Sequence, residues 1–233
     1  HVESWLRSGD KKMPEEINRI MTDNVSDFLL CPTEIAIDNL KNEWIEIWVY
    51  RVQDPMYLTV NYFKEKSLEV DNNFSDYYFA TIHRPSNTDS KEQLKSIFDL
   101  FNSLNKKVVI PLHPRTKSKL NEFSIKISEN IKIIEPCWYL ETLNFLNNSE
   151  AVITDSWWLQ KEAYILWKNI FTMRDTTEWV ETVESGKNML LLDSDWKLIL
   201  NVRDVIESYR GWKYVNYYWE WESLDNLFKK VLV

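Results

Sequence analysis

Polar residues whose types suit one ligand stand directly after four apolar runs. His83 and Arg84 follow "YYFATI", His113 and Arg115 follow "VVIPL", Asp155 and Ser156 follow "AVIT", and Arg174 to Glu178 follow "NIFTM". Guanidiniums, hydroxyls and the open amides of a helix amino end all donate to anionic oxygens, so their convergence on one crevice suits a diphosphate. Two of the three histidines hold equivalent places after neighbouring runs, which favours a shared site over two separate packing roles. Glu162 and Glu178 lie further along as carboxylates able to accept hydrogen bonds from ribose or sugar hydroxyls, or to sit on a solvated helix face. Glu3, Glu15 and Glu16 form a second acidic group, for which first-turn charge favoured by a helix dipole is the competing explanation.

The elements that must position these residues follow from periodicity. "HVESWLRS" reads as a strand, "PEEINRIMTDNVSDFLLCP" as a helical stretch with Pro14 at its first position, "CPTEIAIDNLKNEW" as a second helix and "IEIWVYRV" as a strand. "MYLTVNYFKEKSLEV" is a helix leading to the polar linker "DNNFSD". Strands "YYFATI", "KKVVIPL", "IKIIEP", "AVIT" and "NIFTM" then alternate with helical segments, which predicts βαβ units and a parallel sheet covered on both faces. Ligands of such sheets bind beyond the carboxyl ends of the strands. The fold class expected is α/β, divided into residues 1–60, 61–215 and a terminal helical stretch, 216–233.

Composition narrows the class. Apolar residues make up 44% and charged residues 27%, as in ordinary globular domains. No apolar run reaches the roughly 18 residues that span a bilayer and no leader-like segment opens the chain, so no membrane partner and a cytoplasmic setting are expected. A formal charge of -8 argues against a nucleic-acid partner held by a broad basic surface. Cys31 and Cys137 fit no metal spacing and suggest no disulfide framework, and no metal is expected.

One number is abnormal. About 16 glycines are expected from the usual ~7% share, and the chain has three, against twelve tryptophans. Several tryptophans also stand where a turn wants glycine. Trp157 and Trp158 occupy a strand-to-helix turn, Trp167 follows a helical run at the place of a left-handed cap, and Trp219 and Trp221 precede the terminal helix. An aromatic sugar platform accounts for the number of tryptophans; a glycine codon written as tryptophan accounts for their number and their places.

"HVESWLRSGDKKMPEEINR", "TIHRPSN", "PLHPRT", "ITDSWWLQKEA", "MRDTTEWVETVESGKN" and "NYYWEWES" together resemble the non-hydrolysing UDP-N-acetylglucosamine 2-epimerases, in order and over nearly the whole chain. The resemblance implies a GT-B type fold of two Rossmann-like domains, the first truncated here to its end, with a catalytic aspartate absent. Alone, such a piece is expected to be inactive. In the family, glycines match Trp5, Trp138, Trp157, Trp158, Trp167, Trp219 and Trp221, with Trp44 alongside them; Trp179 matches tryptophan, and Trp48, Trp196 and Trp212 stay undecided. UGA codons that mean glycine would give this pattern.

The activity implied is interconversion of UDP-N-acetylglucosamine and UDP-N-acetylmannosamine without a cofactor, by elimination and re-addition of UDP, in a homodimer serving cell-surface polysaccharide synthesis. Glu3, Glu15 and His83 match the family's catalytic acids, base and histidine. Ser156, the residue at Trp157, and Glu162 match its UDP-binding set, with Arg84, His113 and Arg115 added as phosphate or second-nucleotide contacts. The alternatives are a hydrolysing epimerase that releases free N-acetylmannosamine, and a catalytically silent sugar-nucleotide-binding homologue.

Overall fold

The computed structural model describes residues 1–4, 6–9, 11, 13–210, 215, 217 and 218. Trp5, Trp212, Trp219 and Trp221 lie outside the described residues, as does the expected terminal helix apart from Tyr217 and Tyr218. The chain divides into two compact units, with His1–Asn61 in the first and Tyr62–Tyr214 as the second.

In the first unit, α1 (Pro14–Val25) and α2 (Glu34–Asn42) alternate with β1 (Leu29–Cys31) and β2 (Val49–Arg51), which pair in parallel. Pro14 opens α1 where no amide partner is lost, and Thr33 caps α2 by accepting the Ala36 amide at 3.1 Å. Leu40 of α2 is fully buried with Leu29 and Cys31. The expected strand at the start is not formed. Val2 makes only an isolated bridge to Leu30, because the backbone turns at Glu3 with φ 60°. The unit boundary falls within α3 (Pro55–Ser67), whose amino end is capped by Asp54 accepting the amides of Met56 and Tyr57.

The second unit runs β3 (Tyr77–Thr81), α4 (Pro85–Thr88), α5 (Lys91–Ser103), β4 (Lys107–Pro111), α6 (Pro114–Glu122), β5 (Ile131–Ile134), α7 (Tyr139–Asn148), β6 (Ala151–Thr154), α8 (Trp157–Ile165), β7 (Asn169–Thr172), α9 (Val180–Glu184), β8 (Asn188–Leu190) and α10 (Val202–Ser208). All six strands are parallel in the order β5-β4-β3-β6-β7-β8. This is doubly wound: the chain builds outward from β3 in one direction, then returns to β6 and builds in the other. The reversal between β3 and β6 leaves a crevice at their carboxyl ends. One face of the sheet packs Tyr78, Ala80 and Ile110 against Phe98 and Phe101 of α5. The other stacks Phe79 on Phe145 of α7, with ring centres 5.6 Å apart. Each such buried side chain contributes about 1.5–3 kcal/mol through removal of apolar surface from water.

Helix ends follow one recurring pattern. At α9, Gly186 has φ 69° and donates to Val183 while Lys187 donates to Thr182, a left-handed cap that closes the last carbonyls. The same pair of hydrogen bonds ends α2 at Trp44 (φ 62°) and α8 at Trp167 (φ 67°). Trp48 and Trp196 are also left-handed, with φ 59° and 60°. Trp138 is instead the N-cap of α7 with φ -71°, and Trp157 and Trp158 lie inside the first turn of α8.

Left-handed backbone costs an L-residue about 1–2 kcal/mol, part of which glycine returns as unfolded-state entropy. Trp44 is 90% exposed, so its indole offers little packing in compensation. Trp44→Gly is therefore expected to raise stability by about 0.5–1 kcal/mol in urea unfolding, where an exposed-to-glycine change at an ordinary helical position lowers it.

Candidate functional site

At the carboxyl end of β6, the Asp155 side chain is fully buried. Its carboxylate accepts the His83 amide at 3.0 Å, the Arg84 amide at 2.9 Å and the Asn87 side-chain amide at 3.0 Å. The His83 ring nitrogen Nδ1 lies 3.2 Å from its other oxygen. Arg84 Nε donates to the Asp155 carbonyl at 2.9 Å, and Asn87 also donates to the Met173 carbonyl at 3.0 Å. One carboxylate thus gathers the loop after β3 onto the ends of β6 and β7. Facing a carboxylate, the His83 ring carries its proton on Nδ1 and presents Nε2 as an acceptor on its open side. The threonines that precede both loops, Thr81 and Thr154, bond hydroxyl to hydroxyl at 2.6 Å.

Beside this hub is a cavity of about 360 Å³ between the ends of β3, β4 and β5, lined by His83, His113, Arg115, Phe79, Pro136 and Cys137 among others. It is large enough for a planar base or sugar ring with mostly apolar walls and few polar groups. His113 caps α6, its Nδ1 accepting the Arg115 amide at 3.3 Å, so its neutral ring protonates at Nε2, opposite to His83. The Arg115 guanidinium meets Asp89 at 2.6 and 2.9 Å, and both groups are about half exposed. Burial pushes the Cys137 thiol up to about 11, so it stays protonated.

Ser156 opens α8 as its N-cap, with Oγ accepting the Leu159 amide at 3.4 Å. Trp157 follows, stacked on the fully buried Trp179 at 4.7 Å, and the Trp179 indole donates to the Trp157 carbonyl at 2.9 Å. One turn on, Glu162 is buried, and desolvation pushes its carboxyl up to about 7, offset in part by the Tyr139 hydroxyl. That hydroxyl is itself buried and meets no partner in hydrogen-bond geometry. It acts on Glu162 as a nearby dipole, short of a formed bond. Glu178 is buried, its carboxylate accepting from the Arg174 guanidinium at 2.8 Å, so it does not lie on a solvated helix face.

His83, Arg84, His113 and Arg115 are therefore brought together, with Ser156, Trp157 and Glu162 on the adjoining helix. Glu3 and Glu15 belong to the first unit. Glu3 sits in left-handed backbone and Glu15 on the exposed side of α1. Their neighbour Glu16 is buried and accepts the amides of Ser8 at 3.0 Å and Gly9 at 3.1 Å, so it is the member of the acidic group that shapes the loop. Asp155 is the site residue that sequence reasoning undervalued. Its position beside Ser156 marked it as one of several polar residues after strands, whereas it binds the loop after β3. Among the described residues, no group of three or more His, Cys, Asp or Glu side chains could hold a metal, and no helix is long and apolar enough to cross a membrane.

A doubly wound parallel domain with a polar crevice at its switch point defines a Rossmann-like unit, here in an α/β chain of GT-B type whose first unit contributes two parallel strands. Residues 1–230 match the family model described as UDP-N-acetylglucosamine 2-epimerase, and the chain belongs to that family. A "UDP-N-acetylglucosamine 2-epimerase homolog" of Methanococcus maripaludis is 42% identical over 87% of the chain and 60% of its own length. A UDP-N-acetylglucosamine 2-epimerase of Methanocaldococcus jannaschii is 41% identical over 91% of the chain and 63% of its own length. The chain thus spans about 60% of the length of these curated relatives. The crystal structure of the M. jannaschii UDP-GlcNAc 2-epimerase in complex with UDP-GlcNAc and UDP superposes with a TM-score of 0.82 at 36% identity, covering all of this chain and 68% of that one. A UDP-2,3-diacetamido-2,3-dideoxy-D-glucuronate 2-epimerase of Pseudomonas aeruginosa is 43% identical over 82% of the chain and 56% of its own length.

Asp155→Asn replaces an acceptor-only group by one that must aim an amide at donors. It is expected to cost about 3 kcal/mol in denaturant unfolding and to release the His83 ring to both tautomers, read from its ¹⁵N shifts. Glu162 gives a separate pH signature. Its folded value near 7 lies above the ordinary 4.5, so the folded state binds the extra proton. Stability from this group is complete below pH 4.5 and is lost as pH rises through 7, by on the order of 3 kcal/mol. Glu162→Gln is expected to abolish that loss in urea unfolding at pH 5 and pH 8.

Proposed function

We propose that the complete protein interconverts UDP-N-acetylglucosamine and UDP-N-acetylmannosamine, and that this chain supplies the UDP-binding half of the site. The observation that carries the reading is the convergence at the β3/β6 switch point of a fixed histidine, two arginines and a serine-capped helix, with a buried carboxylate one turn on. The helix amino end and Ser156 suit the diphosphate, and Glu162 suits the ribose hydroxyls, which donate to a carboxylate. Binding to an ionised Glu162 favours loss of its proton, so nucleotide affinity rises with pH towards and above 7.

Elimination of UDP needs a base for the C2 proton and donors for the departing diphosphate. The Arg84 guanidinium supplies positive charge and donors on the leaving-group side, and the His83 ring, held by Asp155, stands beside it. Glu3 and Glu15, in the first unit, are the carboxylates for the proton at C2. No redox cofactor is needed: elimination breaks the C1–O bond to UDP and removes the C2 proton, and re-addition restores the bond to UDP at C1 while a proton is delivered to the opposite face of C2, with no net change of oxidation state. The cytoplasm, a homodimer and polysaccharide precursor synthesis complete the reading. The relative from P. aeruginosa carries a different sugar in its name, so the UDP moiety is the better-supported part of the substrate.

The test is to incubate the full-length protein with UDP-N-acetylglucosamine in D₂O and resolve the products. The expected outcome is UDP-N-acetylmannosamine deuterated at C2, with His83→Asn lowering kcat about 10²–10⁴-fold and Glu162→Gln raising KM. Free N-acetylmannosamine with UDP would instead establish the hydrolysing alternative. UDP binding without turnover would establish a silent homologue.

A further inference from the structure

We infer that Trp44, Trp48, Trp167 and Trp196 are glycines in the protein as its cell makes it. The chain provides its own standard. Gly186 ends α9 with φ 69° and two hydrogen bonds, from its own amide to Val183 and from Lys187 to Thr182. Trp44 and Trp167 reproduce that geometry bond for bond, to Lys41 and Leu40 after α2 and to Tyr164 and Ala163 after α8; the small Ser124 does so after α6, so it is the bulk of an exposed indole in this cap, rather than the cap itself, that points to glycine. Trp196 occupies the other setting that wants glycine. Its amide closes a turn on the Asp193 carbonyl at 2.9 Å, its own φ is 60°, and Leu192 and Leu198 then pair antiparallel. A type I turn followed by a left-handed residue is the glycine-bulge hairpin. Trp48 has φ 59° immediately before β2.

Tryptophan is a poor occupant of this region, since its Cβ meets the following carbonyl and its bulk adds nothing to the turn. Trp44, Trp48 and Trp167 are all more than half exposed, so burial does not account for them. Trp179 is the counter-case. It has φ -93°, is fully buried, bonds the Trp157 carbonyl and lies under Lys161, whose Nζ is 4.2 Å from its ring. A single codon read as glycine by the cell and as tryptophan on paper separates the first set from Trp179, and it accounts for three glycines beside twelve tryptophans.

The same codon at Trp157 and Trp158 would change the site. Their side chains cover the first turn of α8 beside Ser156, and bare backbone there would open the amides to a diphosphate; this consequence rests on the proposed function, whereas the four turn positions do not.

The experiment is tandem mass spectrometry of peptides from the protein isolated from its own cells, with the codons of all twelve tryptophans read alongside. Glycine at positions 44, 48, 167 and 196 with tryptophan at 179 is expected. Tryptophan in the peptide for any of the four overturns the inference. Separately, the chain carrying Trp157→Gly and Trp158→Gly is expected to bind UDP about tenfold or more tighter in calorimetry. Unchanged affinity would remove the ligand consequence and leave the peptide result standing.

Discussion

The second unit is organised by one buried carboxylate. Asp155 carries a charge into a place without solvent, which costs several kcal/mol unless its lone pairs are filled. They are filled by two consecutive backbone amides, a side-chain amide and the His83 ring. Those donors come from the loop after β3, so this loop has one conformation that satisfies the charge. The order β5-β4-β3-β6-β7-β8 makes this possible, since it sets β3 and β6 side by side although about 70 residues separate them in sequence. Topology supplies the crevice, and the charge decides how the groups around it point.

The adjoining helix α8 shows the same principle in a different form. From Leu159 to Ile165 every residue is buried, including Gln160, Lys161 and Glu162. Gln160 accepts from Thr177 at 2.7 Å and from Asn188 at 3.2 Å, which ties the helix to the segment after β7 and to β8. Asn188 in turn accepts from Thr172 at 2.6 Å. Polar residues buried with partners fix a register that apolar ones would leave open. Glu162 departs from this pattern. Its oxygens lie beside a Tyr139 hydroxyl that forms no bond, and its proton is held to about pH 7. A carboxylate left under-satisfied in an otherwise closed network is the group on which a hydroxyl-bearing ligand gains most.

The long strands of the second unit were legible because burial on both faces writes them as unbroken apolar runs, and the helices between them because Leu94, Phe98 and Phe101 recur at helical spacing. Short elements were not. β1 and β8 have three residues each, too few for a period, and α4 has four. The leading "HVESWLRS" carried a strand-like composition, yet the left-handed Glu3 breaks its pairing after a single bridge. In the site, the histidines and arginines were found by their common place after strands. Asp155 was found by the same place but not its role, because sequence shows a residue's neighbours along the chain and not across the switch point. Glu178 was read as open to ligand because its partner Arg174 is a basic residue among several, and burial alone distinguishes them. The choice between Glu15 and Glu16 has the same origin: identical side chains on adjacent positions point to different sides of α1.

Helix stops were the weakest part of the reading, for a physical reason. A helix end is normally announced by glycine, because the left-handed cap that closes the last carbonyls tolerates no Cβ comfortably. Here α2, α6 and α8 end in that cap at Trp44, Ser124 and Trp167 without the announcement, and α9 carries it, at Gly186. The backbone nonetheless closes with the same two hydrogen bonds at all four helices, so the carbonyls and the apolar contact beyond them, such as Ile45 against the α2 core, suffice to impose the turn. The demand for a left-handed residue is thus set by the elements on either side and survives whatever side chain is written there. Left-handed backbone therefore favours glycine without demanding it, since Asp76, Ser124 and Asn201 adopt it too; the tryptophans differ in bringing a large side chain that stays more than half exposed at positions 44, 48 and 167.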